Sequence, residues 1–305
     1  MTLKIIGAGL AGLLAARMLQ RRNPVVIEAQ AALPNNHSAV LRFRSSIVGD
    51  TLGIPFRRVS VIKSSIPWLN PVADALAYAD KCHGTLRTDR SIVQTSSVVD
   101  RWIAPPDLIA RMAEGLAICF SKTHDFSSGE KVISTIPMPV LAGTLGYEHL
   151  TPADFTSSPG TNVSARIRDC DAYVSVYVPD PGFPFSRISI TGDELIVEIP
   201  GSEEHSPSEM ATVAGRLLGI DRERLSDFRS RPSAYAKIVP IEEGARREFI
   251  YWASTVAGRA HSLGRFATWR PGLLLDDLVQ DVRIIDRLLD SRSPGYDAER
   301  MRREK

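Results

Sequence analysis

The run Gly7-Ala8-Gly9-Leu10-Ala11-Gly12 and an acid sixteen residues further on, Glu28, are the residues whose types and spacing point most directly to chemistry. Together they can hold a dinucleotide. Gly7 permits a tight turn, Gly9 lets the backbone approach a pyrophosphate, and Gly12 lets helix and strand pack closely. A helix starting at Leu10 and Ala11 offers free N–H groups and the positive end of its dipole to the phosphates. Glu28, with Ala29 beside it, can accept hydrogen bonds from both ribose hydroxyls. An acid at this point disfavours a 2′-phosphate and hence NADP, but the motif leaves FAD and NAD equally open. Arg42 and Arg44 alternate with Leu41 and Phe43, so both arginines point one way, either to clamp a carboxylate or phosphate or to line a solvated face. Tyr177 and Trp269 are apolar walls or core residues. Arg57-Arg58 and Arg246-Arg247 read as surface charge. P-loop, HExxH and GxSxG motifs are absent, and the six histidines lack ligand spacing, so no metal site is expected.

The elements that must position these groups are legible around them. Leu3-Lys4-Ile5-Ile6 is too short for a helix and suits a buried parallel strand. A helix follows the glycines and ends at Gln20-Arg21-Arg22-Asn23-Pro24, and Val25-Val26-Ile27 makes a second strand. This is a complete βαβ unit. Near the other end, His261-Ser262-Leu263-Gly264-Arg265-Phe266-Ala267-Thr268-Trp269-Arg270-Pro271-Gly272 precedes a helix with Leu274, Leu278, Val282, Ile285 and Leu289 on one side. Asp276, Asp277, Asp281, Asp286 and Asp290 fall largely on the other. Between these ends, Ala172–Val178 alternates with period two, and Gly192-Asp193 turns Ile188/Ile190 back onto Leu195/Val197/Ile199. Asn70-Pro71 opens a helix over Val72, Leu76 and Ala79.

Composition excludes more than it selects. The 305 residues are 44% apolar and 24% charged, with 37 basic against 35 acidic side chains, which rules out a strongly basic nucleic-acid coat and an acidic disordered chain. Thirty of the basic residues are arginine. Cys82, Cys119 and Cys170 form no CxxC pair, so neither a disulfide framework nor structural zinc is expected, in keeping with a reducing cytoplasm. The apolar start is broken by three glycines and reads as a nucleotide-binding strand and helix rather than a signal peptide, and no run is long enough to span a bilayer. The chain is expected to be cytoplasmic.

The pairing of GxGxxG…E with the late Gly-Arg-Phe-Ala-Thr-Trp…Asp-Asp…Asp-Val resembles the flavin amine oxidase and UDP-galactopyranose mutase group of FAD proteins. Lys131-Val132-Ile133-Ser134-Thr135-Ile136-Pro137 is similar to that group's strand and turn behind the FAD. The resemblance implies an α/β protein, with a Rossmann-type FAD-binding domain (1–45, 98–140, 235–305) and an inserted, mainly β-sheet substrate domain carrying helices (46–97, 141–234). It implies FAD contacts by Gly7, Gly9, Leu10, Ala11, Gly12, Glu28, Ala29, His37, Arg44, Val99, Thr135, Gly264, Arg265 and Trp269, with the backbone near Leu273 and Leu274 facing the flavin pyrimidine oxygen. Lys237 would hold a water at flavin N5, Arg187 is similar to a substrate-side arginine of the mutases, and His37 and Tyr177 complete the catalytic candidates. The implied activity is oxidation of a C–N bond by hydride transfer to flavin N5, with dioxygen as acceptor. The substrate would be a small amine. The compact form is also similar to small flavoproteins of bacteriophage DNA hypermodification, which implies a modified nucleobase such as glycyl-thymine and contact with DNA. Alternatives are a mutase-like isomerase without net redox, a nicotinamide dehydrogenase and a non-catalytic FAD-binding protein. One departure is Ala31-Ala32-Leu33-Pro34-Asn35-Asn36-His37-Ser38, where the larger amine oxidases carry paired glycines.

Overall fold

Leu3–Ile6 and Val25–Ile27 form the parallel pair expected of them, and the strand and helix count builds outward from that pair. In this computed structural model residues 2–33, 42–86, 96–256 and 260–290 are described. Numbered in chain order, five strands make a wholly parallel sheet: β1 (Lys4–Ile6), β2 (Val25–Ile27), β6 (Ala117–Cys119), β7 (Val132–Ser134) and β13 (Ala260–Ser262). Their spatial order is β13-β7-β1-β2-β6. The chain leaves β1 in one direction to β2 and β6 and in the other to β7 and β13. The order therefore reverses at β1/β7, the kind of point where open parallel sheets bind ligands beyond their strand ends.

The other eight strands form a second sheet in the order β12-β8-β11-β10-β9-β4-β5-β3. They are β3 (Arg42–Phe43), β4 (Arg57–Ser65), β5 (Ser97–Ile103), β8 (Ser157–Ile167), β9 (Ala172–Tyr177), β10 (Arg187–Gly192), β11 (Glu194–Pro200) and β12 (Leu225–Ile238). All its pairings are antiparallel except β4 with β9. The hairpin at Gly192-Asp193 has the register its alternation demands, Ile190 opposite Leu195 and Ile188 opposite Val197. β3 and β5 lie in stretches assigned to the cofactor domain from sequence, yet both pair in this second sheet.

Eight helices are described: α1 (Leu10–Met18), α2 (Ile47–Leu52), α3 (Pro71–His83), α4 (Leu108–Ala113), α5 (Met138–Leu145), α6 (Pro207–Leu217), α7 (Glu243–Thr255) and α8 (Leu275–Asp290). α1 is buried along Gly12–Ala16 and shares the main core with Leu278, Val279, Val282 and Ile285 of α8. Burial of each large side chain there contributes roughly 1.5–3 kcal/mol. α3 begins where Asn70 accepts hydrogen bonds from the N–H groups of Val72 and Ala73, both 3.1 Å, with Pro71 in the first turn. α6 covers one face of the second sheet, where Val163, Ile188, Leu195 and Val197 pack on Met210, Ala211 and Ala214. No helix among the described residues is long and apolar enough to cross a membrane.

Two charge readings need correction. Arg246 is buried, donating to Thr268 O at 3.1 Å and to Glu243, so it is no surface charge. Asp281 is buried too, because Arg270 reaches it at 3.2 Å and turns it toward the core side of α8. Asp286 and Asp290 do face outward, where they hold Arg22.

Candidate functional site

The glycine turn has the close contacts that each glycine was expected to permit. Gly7 lies at φ +98°, and a Cβ there would stand 2.2 Å from Thr135 Oγ1. A Cβ on Gly12 would meet Gly7 O at 1.9 Å, so only glycine lets α1 approach β1 this closely. A Cβ on Gly9 would meet nothing within 4 Å: this glycine borders open space at the helix start. No side chain caps α1 and no acid stands in its first turn. Its orphan N–H groups and positive dipole end are thus available to an anion. Glu28 stands at the end of β2, one oxygen accepting from Ala8 N at 2.6 Å and the other from Gln30 N at 2.9 Å. An ionised carboxylate has about four acceptor positions, so capacity remains for two hydroxyls. The strand beside β2 is β6, and Glu28 N donates to Cys119 O at 2.9 Å. Residues 119–122 therefore border Glu28, while Val99 pairs with Val61 in the second sheet.

The late Gly-Arg segment arrives at this same place. Leu263 N donates to Ser134 O, continuing β13 beside β7, and Gly264 then turns at φ +105° with a would-be Cβ only 3.1 Å from Ala11 Cβ. Two segments some 250 residues apart meet at the mouth of α1. Thr135 closes the turn from the third side, its N–H and hydroxyl both donating to Ile6 O at 2.9 and 2.8 Å. Its hydroxyl serves the turn rather than pointing to solvent. Trp269 is 1% exposed and packs edge-on against Phe155, with its indole N–H on Val239 O at 2.9 Å. Its φ of +45° is costly for an aromatic residue, by the order of 1–2 kcal/mol, and those contacts hold it there. Its side chain is a core element. The N–H of Leu274 donates to Asp277 at 2.9 Å and that of Leu273 to Arg270 O at 3.3 Å, so both sites at the start of α8 already have acceptors. Asp276 reaches across instead to Ser45, accepting from its N–H and hydroxyl at 3.0 Å, while Arg44 stands 3.7 Å from Asp277. His37 lies outside the described residues.

Strand register gathers a second group. Cross-strand partners share a face. Lys63 is opposite Ser175, Tyr177 opposite Arg187, Arg187 opposite Glu198, and Ser158 opposite Lys237. Val59, on the face of Lys63, is opposite Arg101; Ile103, two residues beyond Arg101, is opposite Arg42. The face turned away from α6 therefore carries Arg42, Lys63, Arg101, Tyr177, Arg187, Glu198 and Lys237. α3 adds Tyr78, whose ring meets that of Tyr177 edge-on at 5.6 Å. Glu198 pairs with Arg187 at 2.8 Å and with Lys237 at 3.3 Å. Burial would raise the Glu198 carboxyl, but the fields of Arg187 and Lys237 outweigh it and bring it to about 2. Burial also opposes the charge of Arg187, and Glu198 overrides that, raising its pKa further. Burial, then Arg187, bring Arg42 down to about 10, and burial followed by Arg101 lowers Lys63.

Of the sequence candidates, the structure brings Lys237, Arg187 and Tyr177 together on this face and Gly9, Ala11, Glu28, Thr135 and Gly264 together at the cradle. Two ties join the groups: Val239, two residues after Lys237, holds the Trp269 indole, and Ser45, two residues after β3, holds Asp276. Glu198, Tyr78, Lys63 and Arg101 were not anticipated. The signal for Glu198 was present, since the Gly192-Asp193 hairpin fixes it opposite Arg187.

These features define a Rossmann-type nucleotide-binding fold, with a parallel sheet and a curled second sheet, which the solved structures below share. The open glycine cradle and the remaining acceptor positions of Glu28 fit FAD. Reduced UDP-galactopyranose mutase is similar over 99% of this chain and 98% of its own, with a TM-score of 0.72 and 15% identity. A putrescine oxidase double mutant redesigned in cofactor binding is similar over 95% and 99%, at TM-score 0.58 and 11% identity. Glycine oxidase from Geobacillus kaustophilus covers 93% and 94%, at TM-score 0.55 and 15% identity. No protein-family model and no curated protein matches the sequence.

Proposed function

We propose that the protein is an FAD-dependent oxidoreductase of the amine oxidase type. The observation that carries the FAD reading is the contact of Gly264 with Ala11, which sets the late Gly-Arg turn against the dinucleotide cradle. When bound, FAD supplies a two-electron acceptor. Gly9 and the start of α1 would face its diphosphate, Glu28 its ribose, and Gly264 and Arg265 the flavin end. Putrescine oxidase and glycine oxidase, both named for amine substrates, share the fold.

The sheet face adds a physical reason for amine chemistry. Around Tyr177, the side chains named above carry five cations against the one carboxylate of Glu198, a local surplus of positive charge. Such a field lowers the pKa of an amine placed in it and so favours the neutral amine whose C–H bond can lose a hydride. Lys237 donates to Glu198 at 3.3 Å, which aims its Nζ where it can also fix a water or a substrate acceptor atom. Tyr177 and Tyr78 supply an apolar wall. The experiment is anaerobic mixing of FAD-loaded protein with a panel of amines, free and nucleobase-linked, followed by oxygen. Bleaching of the flavin by an amine, faster at higher pH, and peroxide on reoxidation are expected; no bleaching by any amine would overturn the reading.

A mutase-like isomerisation is the second reading, favoured by the similarity to reduced UDP-galactopyranose mutase along nearly the whole of both chains. It requires reduced flavin for turnover and releases no peroxide, which separates the two. The narrower version, a glycyl-thymine in phage DNA in a host cytoplasm, predicts DNA binding that weakens steeply with salt.

A further inference from the structure

α3 stands as a fixed post beside the site. Its start is held twice: Asn70 caps it, and Asp74, 1% exposed, accepts from Leu69 N at 3.0 Å. Near its end, the Lys81 side chain enters the corner that joins β9 to β10. There the ammonium, with three N–H donors, meets three backbone carbonyls: Val178 O at 2.9 Å, Asp180 O at 2.5 Å and Phe185 O at 3.3 Å. The corner is stiff. Pro179, Pro181 and Pro184 have fixed φ and donate nothing, and Val178 N closes the neck on Ser186 O at 2.9 Å. Val178, Phe185 and Ser186 are fully buried, so a carbonyl deprived of the ammonium finds a new donor only if the corner moves. Both ends of the corner run straight into the site. Tyr177 precedes Val178, Arg187 follows Ser186, and Ser186 N donates to Glu198 O at 2.8 Å. On α3 itself, Tyr78 lies three residues before Lys81, on the same side of the helix, and meets Tyr177 edge-on.

We propose that Lys81 is a positioning residue of the site: it locks the β9–β10 corner to α3 and so sets the Tyr177–Tyr78 wall against Arg187 and Glu198. The two tyrosines arise from different elements, and a single edge-on ring contact is too weak to fix a helix against a sheet. Three charge-assisted hydrogen bonds from one ammonium fix direction as well as distance. The Arg187–Glu198 pair cannot do this, because both partners ride on the β10–β11 hairpin and neither touches the frame of α3. A compact ammonium whose donors radiate suits three carbonyls set around it, where a planar guanidinium fork does not. Lys81 acts through Tyr177, Tyr78 and Arg187 and not on the reacting atoms. The proposal rests on the oxidoreductase reading for the reaction that the wall serves, but not for the tie itself.

The test uses FAD-loaded protein labelled with 3-fluorotyrosine, the Tyr177 resonance being assigned with Tyr177→Phe. Lys81→Met keeps the apolar stem and removes the donors. It is expected to shift or broaden the Tyr177 fluorine resonance and to leave that of Tyr251, exposed on α7, in place. With an amine that bleaches the flavin, the limiting rate of anaerobic reduction should fall about tenfold or more, because a displaced wall misaligns the substrate. The dissociation constant of the amine should change less than that rate. FAD affinity should stay at its wild-type value, since the glycine cradle lies in the other sheet. Lys81→Gln, which keeps two N–H donors, should fall between wild type and Lys81→Met in both readouts, and it carries the test if Lys81→Met does not fold. A side chain that merely stabilised the fold would lower the melting temperature and move neither readout in the folded protein. An unmoved Tyr177 resonance, or a limiting rate equal to that of wild type, would overturn the proposal. If no amine bleaches the wild-type flavin, the amine reading fails and the fluorine resonance still decides the tie. If wild type and Lys81→Met bleach alike, the amine reading stands and the role of Lys81 falls.

Discussion

Glu198 shares its two oxygens between two cations, and its side chain is only 17% exposed. Removing its charge leaves Arg187 and Lys237 partly buried beside each other with no counter-charge. Loss of one member of such a buried group costs about 3–5 kcal/mol, mostly because the partners remain. Glu198→Gln is therefore expected to lower unfolding stability by that order in denaturant titration, even though glutamine is nearly the same shape. Replacing all three residues together with apolar ones should cost much less, which separates a charge effect from a packing effect. Glu28 presents the opposite case. Its two backbone hydrogen bonds survive in part with glutamine, so Glu28→Gln is expected to fold normally and to weaken FAD binding by about 1–2 kcal/mol, read as roughly tenfold in the FAD dissociation constant. What set Glu28 apart in the sequence is that it belongs to a motif, whereas the hairpin shows only half of the setting of Glu198. Glu28 follows a glycine motif by a fixed interval along the chain. Glu198 acquires its meaning from Arg187 across a hairpin and from Lys237 on a strand that pairs two places away.

At the scale of elements, local patterns specified local structure and left the pairing open. The βαβ unit, the Asn70-Pro71 helix start and the Gly192 hairpin all depend on residues within about 25 positions of one another, and they form as read. The membership of β5 depends on its pairing with β4, and that of β3 on β5 in turn, which no periodicity reports. Val99 shows this plainly: its strand, Ser-Val-Val-Asp-Arg-Trp-Ile, has no alternation that would choose between the sheets. Arg246 and Asp281 were misread for a related reason, since a buried charge looks like a surface charge until Thr268 O or Arg270 is brought to it. The contact between α1 and the turn after β13 tests the long-range assembly. Gly264→Ala introduces a Cβ at positive φ and 3.1 Å from Ala11, and is expected to cost about 1–3 kcal/mol of stability, with weaker FAD retention. Adding Ala11→Gly removes the steric part and leaves the backbone strain. The double variant should thus recover part of what Gly264→Ala alone loses, beyond the cost of Ala11→Gly by itself. Strict additivity in this cycle would mean that the two segments do not touch.

Across the whole molecule, two buried groups in different sheets give acid unfolding two separate windows. His261 lies in β13 at 4% exposure, and burial, with a smaller push from Lys131, lowers its pKa from 6.5 to about 4. The folded protein keeps this imidazole neutral while the unfolded chain protonates it. Below pH 6.5 the unfolded state binds the extra proton, so stability falls with pH until about 4, by about 3 kcal/mol in all if burial acts fully. Glu198 has a folded pKa of about 2 against an ordinary 4.5. Its contribution is complete above 4.5 and is lost as pH falls through about 2, because again the unfolded chain takes up the proton first. Glu243, brought to about 2 chiefly by Arg246, shares this lower window, but half its side chain meets solvent and its effect is screened. Melting temperature measured against pH should accordingly decline in two stages. His261→Leu should flatten the stage between 6.5 and 4 and leave the lower one, while Glu198→Gln should reduce the lower stage and leave the upper. A single decline untouched by His261→Leu would show that β13 is open to water. In that case the strand that carries the chain into Gly264 would not be the packed support on which the whole cofactor cradle depends.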